Sequence, residues 1–344
     1  MNVGIVYDPV YLKHDTGIHL ENSGRLESII SYLEQNKLMP RLAAVSPYPA
    51  SENELCLIHD AKHVNYVKSM ALGGGGYIES DTVVSVGSYQ SAIYAAGGAI
   101  QAAEAVIQSR LDSVFALVRP PGHHATPNRA MGFCLFNNVA IAAKYLLFKY
   151  SLERLAIIDF DVHHGNGTQA AFYANPRVLY VSTHQSPLYP GTGNLGEIGS
   201  GEAVGTKVNI PLPPGCTDTE YEMVFEKVVV PAVRRFRPQI ILVSAGYDSH
   251  WSDRIAAMQV TIKGFIQMVK TIKTLAEEMC EKRLVMVLEG GYKPDALAAS
   301  VKATFDVLMG DNQIEDVFDS PSFIRPAPDI QPLIQRIKEI HHLV

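Results

Sequence analysis

Six short runs of apolar, mostly β-branched residues punctuate the chain at wide intervals, and segments with helical spacing fill the gaps between them. The runs lie at 3–7, 114–119, 155–161, 178–184, 240–245 and 284–289, and helical spacing covers 88–109, 131–150, 219–235 and 261–282. A strand that is apolar on successive residues, rather than alternate ones, must be covered on both faces. A parallel sheet between helix layers does this repeatedly. The pattern therefore predicts an α/β fold. No linker, repeat or low-complexity tract interrupts it, so one domain over 1–344 is expected, with 47% hydrophobic residues to fill its core. The proline-spaced tail from Pro321 onward is expected to end in a weak helix packed on the outside.

Charge narrows the partners. With 29 basic and 35 acidic residues the net charge is −6, which argues against the broad basic face of a nucleic-acid binder and mildly favours cationic amines or basic peptides. No apolar run approaches the roughly 18 residues that span a bilayer, so no membrane partner is expected. The four cysteines (Cys56, Cys134, Cys216, Cys280) are scattered without a C-x-x-C pair, and the first residues lack a secretory pattern. A reducing, cytoplasmic location is the expectation.

In open parallel sheets, ligands bind beyond the carboxyl ends of the strands. At the ends of the last five runs stand PPGHHA, DFDVHHGNG, STHQSPLYPGTG, GYDSHW and EGGY. Asp159, Asp161, His163 and His164 crowd one strand end, and the first three alternate two apart, so an extended chain points them to one side. Converging carboxylates repel, and a divalent cation removes the conflict. Asp248, from another loop, completes an Asp-His-Asp set with an open position, the layout of a catalytic site. Pro120 and Pro121 stiffen the loop before the adjacent His123 and His124, for which Asp159 and Asn166 are candidate partners. An Asp partner keeps an imidazole charged and an Asn partner leaves it nearer neutral, so the two rings can divide acid and base work. Tyr292, after Gly290 and Gly291, can donate to a developing oxyanion. The pair His341-His342 is assigned no role.

In this order the blocks PPGHHA, GFCLFNN, DFDVHHGNGTQ, PGTG, AGYDSH and EGGY resemble the histone deacetylase family in its wide sense, with bacterial deacetylases and acetylpolyamine amidohydrolases. Asn166 makes the chain similar to the class II side. The resemblance runs from about Val3 to Leu308 and implies an arginase-like α/β fold around a mostly parallel eight-stranded sheet. It implies zinc, with ferrous iron possible, on Asp161, His163 and Asp248. It makes His124 the general base and acid, and His123 its electrostatic partner held by Asp159. Tyr292 becomes the transition-state tyrosine, Gly132, Phe133 and Tyr189 line the acyl-lysine tunnel, and Asp81 aligns with a rim residue gripping the substrate backbone. A structural potassium falls on Asp159, Asp161, His163, Ser182 and Thr183.

The chain departs from the family at His19-Leu20-Glu21-Asn22-Ser23-Gly24-Arg25-Leu26, where two prolines are missing around Arg25, and at Arg254, where proline is usual. The expected reaction is hydrolysis of an N-acetyl amide, with acetyl-lysine in proteins or peptides as the first substrate and acetylpolyamine or another small acylated amine as the alternative. A binuclear manganese ureohydrolase and a non-catalytic acetyl-ligand binder are more distant readings. The oligomeric state is left open.

Overall fold

The successive apolar residues of each run do what burial on two faces requires: they become adjacent strands of one sheet. The computed structural model describes residues 2–311, 316, 318 and 325–343. Its strands are β1 (Val3–Val6), β2 (Ala43–Ala44), β3 (Gly76–Ile78), β4 (Thr82–Val84), β5 (Ser113–Ala116), β6 (Leu155–Asp159), β7 (Val178–Gln185), β8 (Lys207–Leu212), β9 (Ile241–Ala245) and β10 (Leu284–Leu288). Eight of them form a parallel sheet in the order β2-β1-β5-β10-β9-β6-β7-β8, and β3 and β4 pair as a small antiparallel hairpin. Every residue of β1, β5, β6, β7, β9 and β10 is buried.

Helices cover both faces. Gly24–Gln35 packs on Pro294–Met309, which packs on Ile262–Met279; Ser88–Ile107 packs on Asn138–Lys149. The tail helix Gln331–His341 buries Ile334 and Ile337, as an outer amphipathic helix should.

Two differences from the sequence reading have physical causes. The segment expected to be helical from 131 starts only at Asn138, because Gly132 and Phe133 take left-handed φ angles of 53° and 68° that no α-helix tolerates. Asn137 caps the start by accepting the Ala140 N–H at 3.0 Å. The segment around 219–235 forms Asp218–Val224 and Val230–Phe236 with a π-helical turn between them.

Strand β8 was not among the six runs. Its Lys207, Asn209 and Pro211 hide the pattern. Lys207 is nevertheless buried, because its ammonium donates to the Val178 carbonyl at 2.8 Å and the Thr206 hydroxyl at 2.6 Å.

Candidate active site

Strands β5, β10, β9, β6 and β7 are consecutive neighbours, so the five loops that carry the motifs leave one stretch of the sheet edge together. Strand β6 ends at Asp159, and the backbone then bends rather than staying extended. This separates the three residues expected to share a side. Asp159 turns to the tandem histidines, while Asp161 and His163 turn to Asp248 beyond β9.

Asp161, His163 and Asp248 are buried, and one ligand atom of each lies within 4.8 Å of the others. His163 Nδ1 is 3.1 Å from both Asp161 Oδ1 and Asp248 Oδ2. The carboxylates are further fixed by the backbone. Gly290 N–H donates to Asp161 Oδ2 at 2.8 Å, and Val162 N–H to Asp248 Oδ1 at 2.9 Å. A Cβ at Gly290 would sit 2.5 Å from Asp161 Oδ2, so the glycine makes room for the cluster.

The electrostatics of this trio are unbalanced. Burial and the Asp161 charge push Asp248 up to about 6, even with His163 beside it. Against its own burial, His163 is lifted to about 9 by the two carboxylates. A divalent cation fits this donor set: two carboxylates and an imidazole nitrogen converge, already oriented from behind, in a site that lacks the positive charge to balance them.

The tandem histidines stand next to it and their partners differ. His123 Nδ1 is 3.1 Å from Asp159 Oδ2, and His124 Nδ1 is 2.8 Å from Asn166 Oδ1. Asp159 also accepts the Tyr180 hydroxyl at 2.9 Å. Burial opposes charge on His123, but Asp161, Asp159 and Glu289 outweigh it and raise the ring to about 10. His124 is driven well below its ordinary value by burial and by the charges of His123 and His163. The two rings are 4.1 Å apart between centroids, and their surroundings shift them in opposite directions.

Aromatic side chains stand beside the histidines. The His124 ring lies 5.1 Å from that of Tyr189, and the Phe133 ring 5.8 Å from that of Tyr292, both edge to face. A Cβ at Gly132 would meet His124 Cδ2 at 2.5 Å and Tyr189 Cε1 at 3.0 Å, which only glycine avoids. Phe133 N–H donates to Thr82 Oγ1 at 3.2 Å, which ties this segment to the hairpin that carries Asp81. Burial keeps the Tyr292 phenol far above its ordinary value, so it remains a donor.

Ser182 lies beside Asp159 in register, and its hydroxyl is 2.9 Å from His184 Nδ1; the Thr183 hydroxyl is buried and, among the described residues, has no partner. His164 is turned away from the trio, with Nδ1 2.8 Å from the Thr192 hydroxyl.

Glu289 and Asp253, which the sequence reading left without a role, and Arg25, which it singled out only for the altered loop around it, position these side chains. Glu289 accepts the N–H groups of Gly122 and His123 at 2.7 and 3.1 Å and so moors the histidine loop to the end of β10. Asp253 accepts the N–H groups of Tyr292 and Lys293 at 2.6 and 3.1 Å. Arg25 donates to the carbonyls of Glu289 and Gly291 at 2.5 and 2.7 Å and thereby holds the turn before Tyr292. Where the family's prolines are missing, Asn22 closes the turn itself: its Oδ1 accepts the Gly24 N–H at 2.9 Å and its Nδ2 donates to the His19 carbonyl at 2.6 Å. Glu289 and Asp253 lie in or beside the EGGY and GYDSHW blocks, but Tyr180, within a strand, carried no signal.

Known proteins agree with this architecture. A profile described as the histone deacetylase domain matches residues 19–308. A probable deacetylase of Archaeoglobus fulgidus is 44% identical over 295 residues, 85% of this chain and 82% of that protein. Histone deacetylase 14, chloroplastic, of Arabidopsis thaliana is 41% identical over 351 residues, 96% of this chain and 83% of its own. The crystal structure of an HDA15 HD domain superposes with a TM-score of 0.89 at 32% identity, covering 99% of this chain and 94% of that one, so the eight-stranded architecture is the arginase-like fold. The chain belongs to the histone deacetylase family, whose members are amidohydrolase deacetylases.

Proposed function

We propose that this chain hydrolyses N-acetyl or short N-acyl amides, first of all acetyl-lysine in proteins or peptides, as one catalytic domain. The carrying observation is the pair His123–Asp159 and His124–Asn166 placed beside the Asp161–His163–Asp248 cluster. Those three side chains are assigned the divalent ion; one imidazole with two carboxylates suits zinc and also accepts ferrous iron. When bound, such an ion supplies a Lewis acid that polarises the acyl carbonyl and makes water acidic enough to ionise near neutral pH. Potassium is assigned to Asp159, Asp161, His163, Ser182 and Thr183, in keeping with the orphaned Thr183 hydroxyl.

The side chains divide the remaining work. His124, neutral and oriented through Nδ1 by Asn166, uses Nε2 to take a proton from water and return it to the departing amine. His123, held charged by Asp159, adds a fixed positive field as negative charge develops. Tyr292 donates its phenol proton in a hydrogen bond to the acyl oxygen. Phe133 and Tyr189, with Gly132 below them, receive the four methylenes of the lysine stem, each worth roughly 0.8 kcal/mol on burial. Asp81 accepts from the substrate backbone at the rim. A reducing compartment, cytoplasm in the first instance, suits the four free cysteines.

The test is kcat/KM for acetyl-lysine peptides and for acetylated polyamines, with wild type and Tyr292→Phe. Peptides should be the better substrates, and Tyr292→Phe should lower turnover about 100- to 1000-fold with metal content unchanged. A near-normal rate in that variant removes Tyr292 from the chemistry.

A further inference from the structure

Beside Tyr292 opens a cavity of about 560 Å³ that no step of the hydrolysis uses. Leu20, Trp251 and Ile255 give it apolar lining, Arg254 and Lys293 add cationic side chains, and Tyr292 lines it as well. Leu20 is 55% exposed, so this apolar lining is open to a ligand.

Both signs of charge meet at the cavity, but they are not paired evenly. Its single carboxylate, Asp253, is buried and committed to the N–H groups of Tyr292, Lys293 and Ile255. The Lys293 ammonium lies 3.2 Å from Asp295 at the surface. Arg254 is exposed, and among the described residues no carboxylate pairs with it. Arg254 and Lys293 are matched in number by Asp253 and Asp295, so the feature of the cavity is the one guanidinium left without a carboxylate, among the described residues. The β3–β4 hairpin differs: Glu79 is paired with Arg129, which leaves Asp81 as the acid without a basic partner there, among the described residues.

We infer that the cavity is a subsite for a carboxylate carried next to the acylated amine, so that the enzyme prefers acyl-lysine in an acidic peptide context. The inference rests on the amide-hydrolase reading and narrows its substrate. With the acyl-lysine stem in the tunnel, the substrate backbone crosses the mouth. A neighbouring residue, its Cα about 3.8 Å further on, projects toward the cavity. An Asp or Glu there meets Arg254, with its methylenes on Leu20, Trp251 and Ile255. A polyamine instead brings a second ammonium to the same guanidinium, which disfavours it.

Matched acetyl-lysine peptides that differ only in Asp, Asn or Lys at one flanking position, scanned over both neighbours, test this with the zinc-loaded full chain. At one of the two positions kcat/KM should fall in the order Asp, Asn, Lys, with about a fivefold to tenfold span at low salt, as expected of charges at a solvated rim. The span should shrink toward unity at about 0.5 M salt. Arg254→Glu should reverse the order. A flat or opposite order in wild type, or an acid preference that survives Arg254→Glu, overturns the subsite. Failure to hydrolyse any of the peptides overturns the deacetylase reading itself, a different result from equal turnover of all three.

Discussion

Two buried charge clusters flank the turn that carries Tyr292, and they solve the same problem in opposite ways. Glu21, Arg25 and Arg119 have essentially no exposure, and neither do Asp161 and Asp248. In the first cluster Glu21 receives Arg119 through Nε at 2.5 Å and Nη2 at 2.9 Å, and Arg25 at 3.1 Å. The guanidiniums direct their remaining donors to the carbonyls of Tyr11, His14, Glu289 and Gly291. Burial alone would raise Glu21, yet Arg119, His14 and Arg25 hold it down at about 2. That cluster is complete. The second has two carboxylates and one imidazole, and burial and the Asp161 charge push Asp248 up further than His163 draws it down. A buried group left short of charge, rather than burial itself, is what marks a site for a foreign ion.

The largest expected effect breaks the comparison on one side only. Stripping the zinc-loaded protein with a chelator should take hydrolysis to background, more than about 1000-fold, and zinc should restore it. Because the ion binds only the folded chain, its return should also raise Tm; at 100 times Kd the gain is about 2.7 kcal/mol. The Glu21 cluster should be indifferent to the same treatment. Full activity and an unchanged Tm after verified metal removal would end the assignment of Asp161, His163 and Asp248.

Glu21→Gln breaks the other side. It leaves two buried guanidiniums facing a neutral amide, and losing one partner of a buried ion network costs about 3–5 kcal/mol. Urea unfolding of the zinc-loaded variant should show this as a lower midpoint, with metal content retained. Since Arg25 also grips the carbonyls before Tyr292, kcat should fall too. A stability change below about 1 kcal/mol would show that Glu21 and its two arginines are not a closed network.

The same contrast explains what the sequence made legible. Asp161 and His163 fall in one short block after a strand, and Asp248 lies in the motif after a neighbouring strand, so the fold class and the convergence of these three side chains could be read together. The tandem histidines were visible as a pair, but which took Asp159 and which Asn166 depended on loop paths that only the resemblance supplied. Glu21 and Arg119 are 98 positions apart, and no spacing rule links them. Apolar periodicity also overran the start of the Asn138–Lys149 helix, since it registers hydrophobicity and not the left-handed backbone at Gly132 and Phe133. Strand β8 was lost for the converse reason: a lysine satisfied by carbonyls does not look buried in a sequence.

Opposite pKa shifts give the smallest and most specific test, the pH dependence of stability in the metal-free protein. Glu21 is held at about 2 against an ordinary 4.5, so its contribution is present above about 4.5 and is lost as pH falls toward 2. Asp248 is raised to about 6 from 3.8, so the folded state takes up its proton first. Its penalty is full above pH 6 and fades as pH falls toward 3.8. Buried histidines such as His14, lowered to about 4 by burial, add a general acid sensitivity, so the test is a difference between variants. Metal-free Asp248→Asn should be more stable than metal-free wild type at pH 7, on the order of 1 to 3 kcal/mol, with the gap closing between about pH 6 and 4. With zinc added at pH 7 the order should invert, since only wild type keeps the full ligand set. Urea midpoints at four pH values settle both signs, and a metal-free Asp248→Asn that is less stable than wild type at pH 7 would mean the trio is balanced without an ion, which removes the physical reason for placing one there.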